Sequence, residues 1–169
     1  KNGEEWADLC CGTGDMTFLL NELVTPKGKV FGIDISENLL KIAQRKSNNL
    51  VNMDIYWIKQ DIFDLDTKFR KFDGISMSYG LRNLKNVEDG IKKVFLLLRD
   101  NGRAGFLDFN HSNENSLSSI FQKLYLRLIV VPISGLFNLE AEYSYIEKSI
   151  KGFPKADKLI YLAKKIGFK

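Results

Sequence analysis

Two glycines one residue apart, with an acid in the apolar run before them and a second acid closing the next apolar run, read as a loop that holds a nucleotide-like cofactor. In Trp6-Ala7-Asp8-Leu9-Cys10-Cys11-Gly12-Thr13-Gly14-Asp15-Met16-Thr17, Gly12 and Gly14 lack Cβ atoms. The backbone there can turn sharply and approach a ligand, and the helical pattern that follows offers unpaired N–H groups at its start. An ordinary strand-to-helix turn has the same two glycines. The dinucleotide fingerprint needs a third glycine at position 17, which is Thr17, and a pyrophosphate reading weakens accordingly. The cofactor reading gains from Val30-Phe31-Gly32-Ile33-Asp34, a second buried-strand pattern ending in an acid that can accept both ribose hydroxyls.

These residues need strands ending at one edge and helices behind them, and the chain alternates in that way. Short apolar runs predict strands near Glu5 to Leu9, Lys29 to Ile33, Asp54 to Lys59, Phe72 to Met77 and Arg103 to Phe109. Amphipathic segments between them predict helices: Asp15 to Val24, stopped by Thr25-Pro26-Lys27-Gly28; Glu37 to Lys46, capped by Ser36 with Leu39, Leu40 and Ala43 on one face; and Val87 to Leu98, with Ile91, Val94, Phe95 and Leu98 at helical spacing. The alternation argues for an α/β fold, a parallel sheet with helices on both faces.

A length of 169 residues suits one domain, and 44% hydrophobic with 27% charged residues is ordinary for a folded chain. No run of ~20 uncharged apolar residues is present to span a bilayer, and no leader pattern precedes the first strand, so the expected setting is cytoplasmic. Cys10 and Cys11 are adjacent and have no metal-ligand spacing around them; they read as small residues packed at the end of the first strand, and no metal is expected. The net charge of +4 comes with lysines crowded toward the C-terminal end, a pattern of a solvated face more often than of a nucleic-acid surface. Both ends read as cut, because the chain opens almost on a strand and closes on a helix ending at Gly167 that should hand over to another strand.

Three stretches carry a resemblance. Asp8-Leu9-Cys10-Cys11-Gly12-Thr13-Gly14-Asp15, Gly32-Ile33-Asp34-Ile35-Ser36 and above all Ser78-Tyr79-Gly80-Leu81-Arg82-Asn83 resemble the ubiquinone/menaquinone-biosynthesis C-methyltransferases, which use S-adenosylmethionine. Ile129-Val130-Val131-Pro132, Glu142-Tyr143-Ser144-Tyr145-Ile146 and Gly152-Phe153-Pro154 are similar to the cyanobacterial and plastid branch of that family, the demethylphylloquinone (2-phytyl-1,4-naphthoquinone) methyltransferases. The likeness runs along essentially the whole chain. It implies a class I S-adenosylmethionine-dependent methyltransferase (Rossmann-like) fold with strand order 3-2-1-4-5, truncated at both ends, and a lipophilic quinol as partner.

By that resemblance the cofactor contacts are Thr13, Asp34, Asp61, Ile62 and Ser78, with Asp61 and Ile62 on the adenine side; Gly12 and Gly14, facing the methionine part from the loop, join them as candidates, as do Asp8 and Ile35. A surface turn acid is the other reading of Asp61. The sulfonium methyl is already activated, so what remains for the protein is to position the acceptor ring and control its charge. Arg82 and Asn83 would stabilise the ring oxyanion or orient a water that takes the proton, and the lone His111 is a second candidate for proton transfer. An ion pair with a nearby acid is the alternative for Arg82, and a satisfied loop histidine that for His111. Tyr143 and Tyr145 line the substrate side or pack in the core.

After Phe109 the rhythm changes. Residues 110–154 read as a helical insertion within a single methyltransferase domain, and 124–133 are the most apolar stretch of the chain. A buried or subunit-contact helix, as in a homodimer, fits this stretch; so does a lid over a hydrocarbon tail or a patch resting peripherally on a (thylakoid) membrane. The resemblance favours the lid.

Other classes fit less well. A base-amine methyltransferase would place an Asn/Asp-Pro-Pro-aromatic element where Ser78-Tyr79-Gly80-Leu81 stands, and a cytosine C5 enzyme needs a cysteine nucleophile, whereas both cysteines lie in the cofactor loop. A non-catalytic cofactor-binding or scaffold protein would keep the fold and lose the pocket chemistry, and the presence of Asp34, Asp61 and Arg82 argues against it.

Overall fold

The computed structural model describes residues 3–24, 26–48, 54–68, 71–109, 149–150 and 152–169. The chain divides into two compact units, residues 1–108 with 162–169, and residues 109–161. His111, Tyr143, Tyr145 and most of the 110–154 insertion lie outside the described residues.

The first unit is a five-stranded sheet of order β3-β2-β1-β4-β5, all parallel: β1 (Glu5–Leu9), β2 (Lys29–Asp34), β3 (Ile55–Lys59), β4 (Phe72–Ser78) and β5 (Leu98–Leu107). The helices are α1 (Asp15–Val24), α2 (Glu37–Ser47), α3 (Val87–Leu97) and α4 (Ala156–Ile166). The chain steps outward from β1 through α1 and α2 in one direction, and through α3 from β4 to β5 in the other, and crossovers between parallel strands are right-handed as a rule. The two sets of helices therefore cover opposite faces. The order reverses between β1 and β4, and it is in the crevice outside the carboxyl ends of the strands at such a switch point that sheets of this kind bind their ligands.

Burial follows the topology. Ala7, Asp8 and Leu9 of β1, Val30 to Asp34 of β2 and Gly74 to Met77 of β4 are buried without alternation, as parallel strands covered on both faces must be. β3 and β5 at the edges are partly exposed. On β3, Trp57 reaches over β2 and the glycine loop: a Cβ on Gly32 or on Gly14 would meet its ring at 2.5 Å. Phe18 of α1 packs edge-on against the same ring, with centroids 5.6 Å apart. The indole thus locks β3, β2 and the loop together, and both positions demand glycine for space; Gly14 also has φ +86°.

The helix and strand bounds follow the sequence patterns closely except at β5, expected over Arg103 to Phe109, which begins at Leu98 and ends at Leu107, leaving Asp108 and Phe109 past it. Leu98, whose spacing places it on a helix, instead opens β5, pairing with Phe72, while Gly74 pairs with Arg103. Residues 99–102 are accommodated by this register shift, and Asn101 turns the backbone at φ +61°. Ser36 caps α2 as expected, its side chain accepting the Leu39 N–H at 3.4 Å. On that helix Leu40 and Ala43 are buried, whereas Leu39 is exposed.

Candidate active site

The glycine loop is built from the end of β1 into α1. The Cys11 N–H continues the ladder to the Ile33 carbonyl (3.1 Å), and Gly14 donates back to the Cys11 carbonyl (2.9 Å), closing a tight turn. Cys10 stands at φ +57° and Gly12 at φ +55°. A non-glycine residue in that region costs about 1–2 kcal/mol, which marks the strand end as conformationally loaded. A Cβ placed on Gly12 would meet nothing within 4 Å, so open space lies before the loop for a ligand to approach.

Asp34 ties the loop to β2. Its Oδ2 accepts the Gly12 N–H at 2.9 Å and its Oδ1 accepts the Ser36 N–H at 2.8 Å. Each carboxylate oxygen keeps a second lone pair, so a pair of vicinal hydroxyls can still be bound. The next residue, Ile35, is exposed. The Gln60 N–H donates to the Asp34 carbonyl at 3.0 Å, which brings the turn after β3 alongside. In that turn Asp61 Oδ1 caps the Phe63 N–H at 2.9 Å and Ile62 is buried, while Lys93 of α3 donates to the Phe63 and Leu65 carbonyls at 2.8 and 2.6 Å.

The Asp8 carboxylate is bonded within the protein. It is 1% exposed, and its two oxygens accept from Ser76 Oγ at 2.6 Å and Thr17 Oγ1 at 2.7 Å. Burial pushes its carboxyl above the usual range, the two hydroxyl donors working against that. Thr17, by its type the residue that breaks the dinucleotide fingerprint, thereby fastens the first turn of α1 to β1. Thr13 donates to Asp15 Oδ2 at 2.8 Å, and Lys46 pairs with Asp15 Oδ1 at 3.0 Å and, with Thr13, holds that carboxyl below its ordinary value. The start of α1 is thus already supplied with an anion of its own.

The two cysteines of the loop have carboxylates as neighbours. Burial raises the Cys10 thiol to about 12, and the charges of Asp34, Asp8 and Asp61 add to the effect; burial, followed by Asp8 and Asp34, raises Cys11 as well. Both thiols are free and half-buried. Neither is activated as a nucleophile.

On the other side of the switch point, Ser78 ends β4, and Tyr79 sits at φ +57°, its N–H donating to the Leu107 carbonyl at 2.7 Å. Gly80 packs against Cys10, so closely that a Cβ would lie 2.6 Å from the Cys10 Cβ. The two strand ends that flank the crevice therefore touch. Arg82 follows in a 3-10 turn and pairs with Asp108, Nη1 to Oδ1 at 2.6 Å, with the side chains 8% and 6% exposed. Its guanidinium also lies over the Tyr79 ring, 5.6 Å from the centroid. Asn83 Nδ2 donates to the Tyr79 carbonyl at 3.2 Å. Sequence patterns single out Arg82 and the motif that holds Tyr79, whereas Asp108 and Ser76 emerge only from strand register; Asp108 falls inside the strand expected over Arg103 to Phe109, and only the end of β5 at Leu107 places it past a strand.

The described residues thus bring together Gly12, Thr13, Gly14, Asp34, Asp61 and Ile62 on one side of the switch point and Ser78, Arg82 and Asn83 on the other. Among the described residues no His/Cys/Asp/Glu group is arranged to hold a metal. The ubiE/COQ5 methyltransferase family model matches residues 1–169. The chain belongs to the ubiE/COQ5 methyltransferase family. This methyltransferase is 36% identical over 169 residues to a protein of Nostoc sp. named 2-phytyl-1,4-naphtoquinone methyltransferase, covering 99% of the chain and 73% of the relative. It is 36% identical to the Arabidopsis thaliana protein named 2-phytyl-1,4-beta-naphthoquinone methyltransferase, chloroplastic, of which it spans 65%. The structure of Haemonchus contortus phosphoethanolamine N-methyltransferase 2 in complex with S-adenosyl-L-methionine superposes with TM-score 0.69 at 16% identity, over 99% of this chain and 33% of that one. The shared fold is that of the S-adenosylmethionine-dependent methyltransferases.

Proposed function

We propose that this methyltransferase transfers the methyl group of S-adenosylmethionine to a ring carbon of a phytylated naphthoquinol. The contact of Asp34 with Gly12 carries the reading. Asp34 holds the Gly12 and Ser36 N–H groups and keeps lone pairs for vicinal hydroxyls beside a glycine with open space before it, while the start of α1 is already taken by Asp15 paired with Lys46, so the loop suits a nucleoside with free ribose hydroxyls and disfavours a pyrophosphate. S-adenosylmethionine is such a nucleoside, and when bound it supplies an electrophilic methyl group on its sulfonium. Asp34 accepts the ribose hydroxyls, Asp61 and Ile62 hold the adenine side, and the backbone of Gly12, Thr13 and Gly14 faces the methionine end with Asp8 bracing the loop from beneath. Ser78 closes the set, and Ile35 packs against the nucleoside.

The names of the relatives support a naphthoquinone-derived acceptor, and so does the sheet edge. Ile35, Phe63, Tyr79 and Leu107, each at or just beyond the carboxyl end of a strand, are all exposed apolar side chains. Deprotonation of a ring hydroxyl makes the neighbouring carbon nucleophilic, and Arg82 with Asn83 stabilises that oxyanion. A carbon–carbon bond forms, the sulfur–carbon bond breaks, the proton on the methylated carbon leaves to restore the aromatic ring, and the ring oxygen takes one proton back. The products are S-adenosylhomocysteine, the methylated quinol and one proton. His111 is the second candidate to carry a proton. Residues 110–154 serve as a lid over the phytyl tail, and their apolar 124–133 stretch supports peripheral contact with the membrane where such a tail resides; homodimer contact is the other use of that stretch. Among the described residues no helix is long and apolar enough to cross a membrane.

Incubation with S-adenosylmethionine and reduced phytyl-naphthoquinone, read by mass spectrometry, should show a product heavier by one methylene. Product from a benzoquinol alone would change the acceptor assignment. Calorimetry should show S-adenosylhomocysteine binding and NAD not; tighter NAD binding would end the cofactor reading.

A further inference from the structure

Arg82 and Asp108 are joined twice. The guanidinium Nη1 donates to Oδ1 at 2.6 Å, and the Arg82 backbone N–H donates to Oδ2 at 3.1 Å, so one carboxylate grips the residue at its root and at its tip. Both side chains are more than nine-tenths buried. Buried and doubly held, the guanidinium loses the rotamer freedom that an exposed arginine keeps, and its planar fork takes one direction.

The end of β5 holds the neighbouring loop at a second point. Leu107, the residue before Asp108, accepts the Tyr79 N–H at 2.7 Å, and the Tyr79 ring lies beneath the guanidinium. The left-handed backbone of Tyr79 is thus maintained from β5 and from the Asn83 side chain. A carboxylate one residue past a strand end, bonded to both the backbone and the guanidinium of Arg82, is well placed to orient the group that acts on the acceptor.

We propose that Asp108 is the positioning residue of the methyl-transfer step: by holding the Arg82 backbone and guanidinium together, it sets the place and direction of the cation that faces the acceptor oxyanion. This rests on the reading of Arg82 given above. Preorganisation of that kind contributes in the transition state, and a misplacement of about 1 Å costs on the order of 10²-fold in rate.

The test is a double-mutant cycle on the purified protein with Arg82→Ala, Asp108→Asn and the pair, each measured for kcat, KM for the quinol, affinity for S-adenosylhomocysteine and Tm. Asp108→Asn should lower kcat by about ten- to a hundred-fold, with cofactor affinity kept within about two-fold. In the Arg82→Ala background it should have no further effect on kcat, because the group it positions is gone. A purely structural role would move Tm and leave the kcat of the folded fraction alone. Normal kcat in Asp108→Asn, with kcat lost in Arg82→Ala, overturns the inference and leaves the Arg82 reading standing. Effects that multiply in the double variant overturn it too. Normal kcat in Arg82→Ala sinks the Arg82 reading itself. Should Asp108→Asn fail to fold, Asp108→Glu restores the charge one methylene away. That variant should fold and bind S-adenosylhomocysteine while kcat stays lowered, and full kcat there would refute the positioning role.

Discussion

The Asp34 carboxylate and the Gly12 amide, 22 residues apart in the chain, meet at 2.9 Å and join the two strands that make the cofactor side of the crevice. One acid thereby shapes the glycine loop and keeps lone pairs for a ligand. Asp34→Ala should weaken S-adenosylhomocysteine binding by about 1.5–3 kcal/mol, the range for hydrogen bonds to a charged group. Calorimetry reads it directly, and an unchanged affinity would move the ribose elsewhere.

Asp8 titrates against burial. Its carboxyl lies above the usual range in the folded protein, so the folded state binds that proton more tightly than the unfolded state does. The sign follows: the contribution of this group to stability is fullest below the unfolded carboxylate value of about 4 and is lost as pH rises from there toward the raised folded value. Asp8→Asn should flatten Tm against pH across that interval. Thr17→Val, which removes the 2.7 Å donor and leaves the carboxylate less satisfied, should lower Tm by roughly 3–12 °C at pH 7. A Thr17→Val protein as heat-resistant as its parent would show that the hydroxyl is dispensable.

Gly80 has no room for a methyl group. Its Cβ would lie 2.6 Å from the Cys10 Cβ, and both neighbours belong to strand ends that frame the site. Gly80→Ala should cost about 1–3 kcal/mol in denaturant unfolding, as overpacking does. Cys10→Gly removes the opposing Cβ and relieves a residue at φ +57°, so the double variant should recover most of the loss. If the second change brings no recovery, the clash lies elsewhere.

Lys93 reaches from α3 to the carbonyls of Phe63 and Leu65, closing the turn that carries Asp61 and Ile62. It touches no ligand in the proposed arrangement. Lys93→Met should weaken S-adenosylhomocysteine binding by about three- to ten-fold with kcat at saturating cofactor little changed, since hydrogen bonds to a charged group contribute about 1.5–3 kcal/mol when buried and less at this exposed edge. Equal affinity for the two proteins would show that the turn holds its shape unaided.

The sequence by itself determined the elements and their order. Periodicity placed α1 over Asp15–Val24 and β1 over Glu5–Leu9, because a helix face and a buried strand impose different spacings on apolar residues. Gly12, Gly14 and Asp34 were legible for the same local reason: a tight turn and an acid at a strand end are short-range features. Leu98 was not, since an apolar residue four places after Val94 suits a helix equally well. Only its pairing with Phe72 makes it a strand. Thr17 read as a missing glycine; the tertiary structure makes it a donor to Asp8, nine residues away across the turn. The pairing of Arg82 with Asp108 spans 26 residues and is decided by the parallel register of β4 and β5, which places both strand ends at one edge. The left-handed backbones of Cys10 and Tyr79 belong to the same class, because neither residue type favours that conformation and only the contacts of neighbouring strands hold it. Local chemistry is written along the chain, whereas the pairing of charges across strands depends on register, which the packed sheet alone determines.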